Sequence, residues 1–250
     1  MLIVCNAMIK SASTLLFHYT QELVFTVCPG RGQGALMHLL EHGEITGAGG
    51  YVYPLDARAL GILLDAAEHE GPMVVKAHEP LTPSLEEPAR RGDITVVFSH
   101  RDPRDMILSA MDHRVRAEAH GYRVLGKFTS LPESVSAAKW WCEMACEWVQ
   151  SGLACVFRYV DMVAQPERQL RRLREHLGLD VDNAVIATLV RREREARRPG
   201  ANQFSQGKLS RYREELSAEE IELCIRELGR YIVSLGYSLE DQTGVAGGAR

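Results

Sequence analysis

The sequence predicts an α/β protein with a three-layer α/β/α arrangement, in which helices cover both faces of a central parallel sheet. Two observations predict this fold: short apolar segments rich in β-branched residues, and longer segments of helical periodicity between them. Strands are expected at about residues 2–6, 73–77, 94–99 and 154–158. Because each intervening segment can hold a crossover helix, the strands should run parallel and be buried on both faces.

The segments between and after the strands predict helices. They are expected at residues 13–23, 56–69, 103–119, 134–151, 166–177, 183–197 and 217–235. Ser217 followed by Glu220 is a capping box that marks the start of the last helix. The glycine-rich stretch 30–50 and the polar stretch 112–130 are expected to be loop-like insertions at the edge where the parallel strands end.

The composition is that of an ordinary globular protein. A length of 250 residues with 46% apolar and 25% charged residues fits a single α/β domain, residues 1–240, and a tail at 241–250 without fixed structure. A net charge of −4 argues against a nucleic-acid partner, since basic residues cluster only locally. Met1 leads into the first strand without a basic prefix, and no apolar run reaches membrane-spanning length. A cytoplasmic protein with six thiols is therefore expected.

The segment from residue 94 to residue 109 has the features of an anion site. A β-branched and aromatic run precedes Arg101, Asp102 can cap a helix, and Pro103 suits the first helical position. Arg101 would then lie at the carboxyl end of a strand, where open α/β sheets bind ligands, with Ser109 two turns into the helix. Taken alone, the segment favours a structural salt bridge for Arg101.

The first strand is followed by a loop, residues 7–14, that enters a helix and is called the phosphate loop below. Backbone N–H groups at the helix start and the hydroxyls of Ser11, Ser13 and Thr14 would converge on a bound oxyanion. Lys10 adds a positive charge there. The loop differs from a Walker A motif because it has no glycine and its lysine precedes the small residues.

A third segment, residues 71–80, is a short apolar strand between prolines, with Lys76 and His78 at its exit. A spacing of two places both side chains on one side of an extended chain. An imidazole that takes a proton and a lysine that neutralises developing charge suit a transfer reaction beside an anion loop. This segment alone favours two solvated residues at a strand end.

Taken together, four stretches resemble, in order, the sulfotransferases that use 3′-phosphoadenosine 5′-phosphosulfate (PAPS). Residues 10–14 (KSAST) are similar to the family's 5′-phosphosulfate loop, and residues 76–80 (KAHEP) to its catalytic K-[ST]-H-x-P segment. Residues 101–109 resemble its 3′-phosphate element, and residues 204–212 a degraded F-[RK]-K-G-x-x-G-[DE]-W motif. The resemblance spans roughly residues 1–237, and its specificity lies in the ordered set.

The resemblance implies a P-loop NTPase-like sulfotransferase fold and transfer of a sulfuryl group from PAPS without a metal. The acceptor would be a hydroxyl or amine of a small molecule, carbohydrate or natural product, and the other product adenosine 3′,5′-bisphosphate (PAP). The polar stretch 112–130 hints at a polar acceptor.

The same resemblance implies a role for each site residue. His78 would be the base and Lys76 would stabilise charge on the transferring group. Lys10 would contact the 5′-phosphate and the departing oxygen. The remaining cofactor-binding residues are the phosphosulfate contacts Ser11, Ala12, Ser13 and Thr14, the 3′-phosphate contacts Arg101 and Ser109, Tyr159 near the adenine, and Phe204, Gly207 and Lys208 over the 3′-phosphate.

Two departures from the family pattern have consequences. Ala12 replaces the usual glycine, so this peptide must avoid positive φ or accept strain. Ser205 and Gln206 stand where the family has basic residues. The arginine-rich stretch 190–213 either compensates for them or forms a solvated helix face, and both interpretations stay open.

Three other patterns in the sequence allow different interpretations. His38 and His42 have the H-x-x-E-H spacing of some zinc peptidases, and Cys142 with Cys146 could bind a metal, although packing of the tryptophan-rich helix explains the cysteines better. His100-Arg101-Asp102 is similar to a kinase catalytic loop but lacks its asparagine. A nucleotide phosphotransferase and a noncatalytic nucleotide-binding module are the alternative functions.

Overall fold

A computed structural model of the protein describes residues 1–122, 124–196 and 208–240. The strands β1 to β6 form one sheet in the order β2-β3-β4-β1-β5-β6; they span Leu2–Ala7, Gly47–Ala48, Tyr51–Val52, Met73–Ala77, Ile94–His100 and Ala154–Arg158. All neighbouring strands are parallel except the antiparallel hairpin of β2 and β3. The predicted parallel sheet is confirmed.

Helices α1 to α11 follow the order of the chain. Their bounds are Ser13–Val27, Arg31–Glu41, Ala57–Glu70, Pro83–Arg91, Pro103–Ala119, Leu131–Ser151, Tyr159–Ala164, Pro166–His176, Asn183–Ala196, Tyr212–Glu215 and Ala218–Ser234. The predicted capping box is confirmed, because the Ser217 hydroxyl accepts from the Glu220 amide and the Glu220 carboxylate accepts from the Ser217 amide.

The chain forms two compact units. The first comprises Met1–Arg101 and Trp140–Leu209 and contains the whole sheet. The second comprises Asp102–Lys139 and Ser210–Arg250 and contains α5, α10 and α11. A single domain over residues 1–240 stays a prediction, and the expected tail at 241–250 lies outside the described residues.

Both faces of the sheet in the first unit are covered by helices. On one face Ile3, Val74 and Val97 pack with buried side chains of α1, α8 and α9. On the other face Phe98 stacks on Trp148 of α6, with ring centroids 6.0 Å apart. Because successive strand residues point to opposite faces, a strand buried on both sides reads as a continuous apolar run, as β1 does.

The glycine-rich stretch 30–50 is not the loop that the sequence predicted, since it forms α2 and strand β2. A Cβ at Gly32 would lie 2.1 Å from the carbonyl oxygen of Pro72, so glycine serves close packing of a helix there. A Cβ at Gly47 would lie 1.8 Å from the carbonyl oxygen of Tyr51, across the hairpin. The stretch 112–130 is also less loop-like than predicted, because α5 continues through it to Ala119.

The second unit is held together by the residues that follow Arg101. Asp102 caps α5 by accepting from the Arg104 amide, and it also accepts from the Arg104 guanidinium. The Arg104 guanidinium lies 3.9 Å from the centre of the Tyr212 ring. Asp105 accepts from the amides of Ser210, at 3.0 Å, and Tyr212, at 3.2 Å. The charged residues after Arg101 therefore serve packing within this unit.

Candidate active site

The phosphate loop turns sharply between the end of β1 and the start of α1. Lys10 has φ 58°, and Ala12 has φ 66° and ψ 30°, both in the left-handed region. Of the two possibilities for Ala12, the chain accepts the strain. Left-handed residues beside ordinary ones turn successive backbone N–H groups to one side, and the first amides of α1 have no acceptor within the helix. The result is a concave set of donors suited to an anion.

The Ser11 side chain lies under the phosphate loop rather than on its open side. Its hydroxyl is buried, 2.6 Å from the carbonyl oxygen of Met8 and 2.9 Å from both the carbonyl oxygen and the hydroxyl of Ser99. These bonds fasten the loop to β5. A role for Ser11 in binding phosphosulfate would therefore fall to its backbone amide.

Lys76 connects β4 with the start of α1. Its ammonium group donates to the Thr14 hydroxyl at 2.8 Å, and burial lowers the pKa of Lys76 from its usual value. Thr14 and Lys10 are half-buried, whereas Ser13 is buried. Two lysines thus accompany the amides of the phosphate loop on the same unit of the chain.

His78 is held in one tautomer. Its Nδ1 lies 2.7 Å from the carbonyl oxygen of Ala7, and since a carbonyl only accepts, Nδ1 carries the proton and Nε2 the lone pair. Burial, the largest cause, and the positive charges of Lys76 and Lys10 together lower the pKa of His78 to about 4, against the opposing effect of the Ala7 bond. The imidazole is neutral at neutral pH and can accept a proton through Nε2.

Two aromatic side chains contact this imidazole, and two more contact those. The Tyr51 ring lies 5.7 Å and the Trp141 ring 6.2 Å from the His78 ring. Tyr53 stacks beside Tyr51 at 6.5 Å, and Trp140 meets Trp141 edge-on at 4.5 Å. Tyr53 is 57% and Trp140 49% exposed. We call these five rings, with His78 at the centre, the aromatic row.

Arg101 lies at the carboxyl end of β5, as predicted, and is 2% exposed. Its guanidinium lies 4.1 Å from the centre of the Tyr159 ring and donates to the Lys208 carbonyl at 3.1 Å. The Tyr159 ring, which the sequence predicts to lie near an adenine, contacts the Arg101 guanidinium. Lys208 takes part through its backbone carbonyl and is itself exposed.

Three predicted 3′-phosphate contacts are not brought together by the first unit. Ser109 is buried in α5, which belongs to the second unit. Phe204 and Gly207 lie outside the described residues. The roles of all six residues stay predictions, although the structure brings Arg101, Tyr159 and Lys208 into contact.

Sequence reasoning missed Tyr51 and Trp141 as neighbours of the base. Tyr51 falls in the stretch predicted to be a loop, although its alternation with Val52 and Tyr53 is typical of a strand. Trp141 was interpreted as part of a helix core, and nothing in the sequence distinguishes it from the buried Trp148.

The alternative metal sites look different in the structure. The rings of His38 and His42 lie 3.9 Å apart, and Cys142 and Cys146 are buried. Within residues 1–122, 124–196 and 208–240, no three His, Cys, Asp or Glu side chains are grouped so that they could hold a metal ion. Nor does any helix in those ranges have the length and apolarity to cross a membrane.

Comparison with known proteins agrees with this geometry. Residues 92–183 match the model of the sulfotransferase family. No curated protein matches the chain. The fold is similar to retinol dehydratase in complex with androsterone and inactive cofactor PAP, at 15% identity and a TM-score of 0.58, over 96% of this chain and 82% of that one. A second retinol dehydratase structure, with retinol and PAP, has 14% identity and a TM-score of 0.60, over 92% and 81% of the chains.

A mouse sulfotransferase complexed with PAP is similar at 12% identity and a TM-score of 0.57, over 94% of this chain and 86% of that one. The chain therefore has the sulfotransferase fold. The matching segment and the fold confirm the resemblance to sulfotransferases that the motifs predicted.

Proposed function

We propose that the protein transfers a sulfuryl group from PAPS to a hydroxyl or amine of a small-molecule acceptor and releases PAP. The observation that carries the proposal is the meeting of β4 with the phosphate loop: Lys76 donates to Thr14, and His78 donates to Ala7. A neutral base and two lysines thus accompany a set of anion-binding amides. Similar folds that hold PAP support the choice of co-substrate.

The donor groups of the chain suit this co-substrate. The amides at the start of α1 and the ammonium groups of Lys10 and Lys76 would hold the 5′-phosphosulfate. Arg101, which lies against the Tyr159 ring and donates to the Lys208 carbonyl, would take the 3′-phosphate, the role that the sequence also predicts for Ser109. Phe204 and Gly207 would complete that contact.

In the proposed reaction Nε2 of His78 takes the proton of the acceptor as its oxygen or nitrogen attacks the sulfur. The bond between sulfur and the 5′-phosphate oxygen breaks, and its electrons remain on PAP. Lys10 and Lys76 neutralise the charge that grows on the departing oxygen and on the transferring group. Alignment and fixed positive charge would supply most of the rate, as in phosphoryl transfer, and the step requires no metal.

The acceptor we propose within this class is planar and aromatic, such as a phenol. Its support is the aromatic row, in which Tyr51 and Trp141 flank the base and Tyr53 and Trp140 extend outward to solvent. Rings beside a base favour a flat apolar body with one polar group to orient. This differs from the polar acceptor suggested by the stretch 112–130. A cytoplasmic location, which the six cysteines of the sequence predict, belongs to the same proposal.

Mass spectrometry of reactions with PAPS and a panel of acceptors tests the proposal. Phenols should give a sulfated product and an equal amount of PAP, at a higher kcat/KM than sugars or aliphatic amines. Trp141→Leu should raise KM for the phenol, whereas Phe157→Leu, the same kind of change in the core, should leave KM unchanged. Absence of sulfated product with every acceptor would refute the transfer, and a preference for sugars would refute only the aromatic acceptor.

A further inference from the structure

The side chain of Asn6 joins the ends of β1 and β4. Asn6 is fully buried, near the end of β1. Its Oδ1 accepts from the Ala7 amide at 3.0 Å and from the Glu79 amide at 2.9 Å. Its Nδ2 donates to the Glu79 carbonyl at 2.8 Å. Asn6 thus bonds both backbone groups of Glu79 with the donor and acceptor of one side-chain amide.

These bonds extend the pairing of the two strands. The backbone register of β1 and β4 ends at the pair Asn6 and Ala77. Beyond it the side-chain amide of Asn6 takes the place of a peptide group and continues the pairing to Glu79. His78 lies between these two fixed positions, so both of its peptide neighbours are held.

Asn6 also acts on the partner of the imidazole. The Ala7 N–H donates to Asn6 Oδ1, and the Ala7 carbonyl, in the next peptide group, accepts from Nδ1 of His78. Asn6 therefore restrains the backbone that carries His78, while the bond from the Met8 amide to the Ser99 carbonyl holds the peptide group whose carbonyl fixes the tautomer. Trp148 donates its indole N–H to the Glu79 carbonyl at 2.9 Å, so this carbonyl accepts from both Asn6 and Trp148.

We propose that Asn6 is a positioning residue for the base, which keeps the His78 ring in the tautomer with its lone pair on Nε2. The inference rests on the proposed function in one respect, namely that His78 is the base. Without Asn6 the Glu79 amide loses its acceptor, so the backbone that carries the ring can turn, the bond from Nδ1 to the Ala7 carbonyl is lost, and the ring can take its proton on either nitrogen. A base with its proton on Nε2 cannot accept one there.

Nitrogen NMR of the His78 ring and steady-state kinetics test this together, in wild type, Asn6→Ala and Asn6→Asp. Wild type should show one tautomer, protonated on Nδ1, assigned by the signal lost in His78→Gln. Asn6→Ala should show both tautomers and a turnover about 10²-fold lower, the loss typical of a misplaced catalytic group, with KM and PAP affinity unchanged. Asn6→Asp keeps the two accepting bonds, so its tautomer and turnover should lie nearer wild type.

Thr20→Val is the matched control. Thr20 is fully buried and donates to the Leu16 carbonyl, within α1, so its loss removes a buried hydrogen bond without touching Asn6 or His78. Its tautomer and turnover should remain those of wild type. If Asn6→Ala does not fold, Asn6→Ser, which loses the donor to Glu79, takes its place.

The outcomes separate this inference from the proposed function. A single Nδ1-protonated tautomer in Asn6→Ala, or wild-type turnover despite mixed tautomers, would overturn the positioning role. A tautomer change as expected in a protein that sulfates no acceptor would instead refute the proposed function, and would leave the effect of Asn6 on the imidazole established.

Discussion

His78 shows how the surroundings of one side chain decide its chemistry. Burial and two lysines bring the pKa of His78 down to about 4, and the Ala7 carbonyl selects the nitrogen that carries the proton. A histidine in water, with a pKa of about 6.5, would be partly protonated near neutrality and a poorer acceptor at slightly acid pH. These surroundings therefore keep the His78 imidazole unprotonated over a wider range of pH.

The charge on Lys76 should be visible in the pH dependence of turnover. A protonated imidazole cannot act as a base, so kcat/KM should fall as the pH drops through the pKa of His78. Lys76→Ala removes a like charge, so the pKa of His78 rises and the acid limb moves to higher pH. Lys139→Ala is the control for loss of a positive charge, since Lys139 pairs with Glu227. An acid limb at the same pH in Lys76→Ala would contradict the coupling.

Strain at Ala12 gives a second prediction for a single residue. The left-handed conformation costs an L-residue about 1–2 kcal/mol, and replacement by glycine relieves this strain. Part of the stability gained is offset, because glycine has more conformational freedom in the unfolded chain. Ala12→Gly should therefore raise the free energy of unfolding by about 1 kcal/mol, measured by urea denaturation. Ala66→Gly, inside α3, should lower it by about 1 kcal/mol. Destabilisation by Ala12→Gly would show that the loop is not strained.

Among single residues, the sequence identified the candidates that residue type and position along one strand are enough to indicate. Lys76 and His78 follow from a spacing of two at a strand exit. The buried hydroxyl of Ser11 could not be predicted, because its partner Ser99 is on another strand 88 positions away in the chain. The same holds for Asn6 and Glu79, which meet only once β1 and β4 pair.

At the scale of elements, helix α5 binds a segment from much later in the chain. Its Asp105 accepts from two amides of the segment at residues 210–212, which leads into α10. Hydrogen bonds to a buried carboxylate are stronger than neutral ones, and both amides would lose their acceptor together. The charge of Asp105 therefore fixes the path of a segment far along the chain.

Asp105→Ala should lower the free energy of unfolding by about 2–4 kcal/mol, because two amides lose a charged acceptor. Asp112→Ala is a matched carboxylate on the same helix, where the half-exposed Asp112 pairs with Arg211 at 2.8 Å. Its removal should cost less than about 1 kcal/mol. Equal effects of the two substitutions in urea denaturation would show that the Asp105 bonds contribute little.

The sequence also predicted the buried strands better than the elements of the glycine-rich stretch. The expected strands agree with β1, β4, β5 and β6 to within about one residue at each end, because each is an apolar run of strand length between breakers. Helix α2 and the hairpin of β2 and β3 were missed. Their glycines serve close approach of backbones, which has the same sequence signature as a turn.

For the molecule as a whole, the phosphate loop, the base and Arg101 all belong to the unit that holds the sheet. The chain carries a net charge of −4, yet Lys10, Lys76 and Arg101 are gathered at the carboxyl ends of its strands. Concentrated positive charge on an acidic protein favours a small anionic ligand over an extended polyanion. The sequence motifs identify these three charged residues. The aromatic neighbours of His78 could be found only from the fold.

Nucleotide selectivity follows from this arrangement. PAP at 100 times its Kd should add about 2.7 kcal/mol to the apparent stability in thermal unfolding, and AMP or ATP at the same concentration should add much less. Arg101→Ala should reduce the stabilisation by PAP and bring it close to that by AMP. Equal stabilisation of the wild-type protein by ATP and PAP would contradict a site for the 3′-phosphate.

The most direct test of the central claim is the turnover of His78→Ala at saturating PAPS and acceptor, with PAP affinity measured alongside. If His78 is the base of sulfuryl transfer, turnover should fall by about 10²- to 10⁴-fold while PAP affinity stays that of wild type. Wild-type turnover in His78→Ala would contradict the account, and the base would then lie elsewhere in the chain.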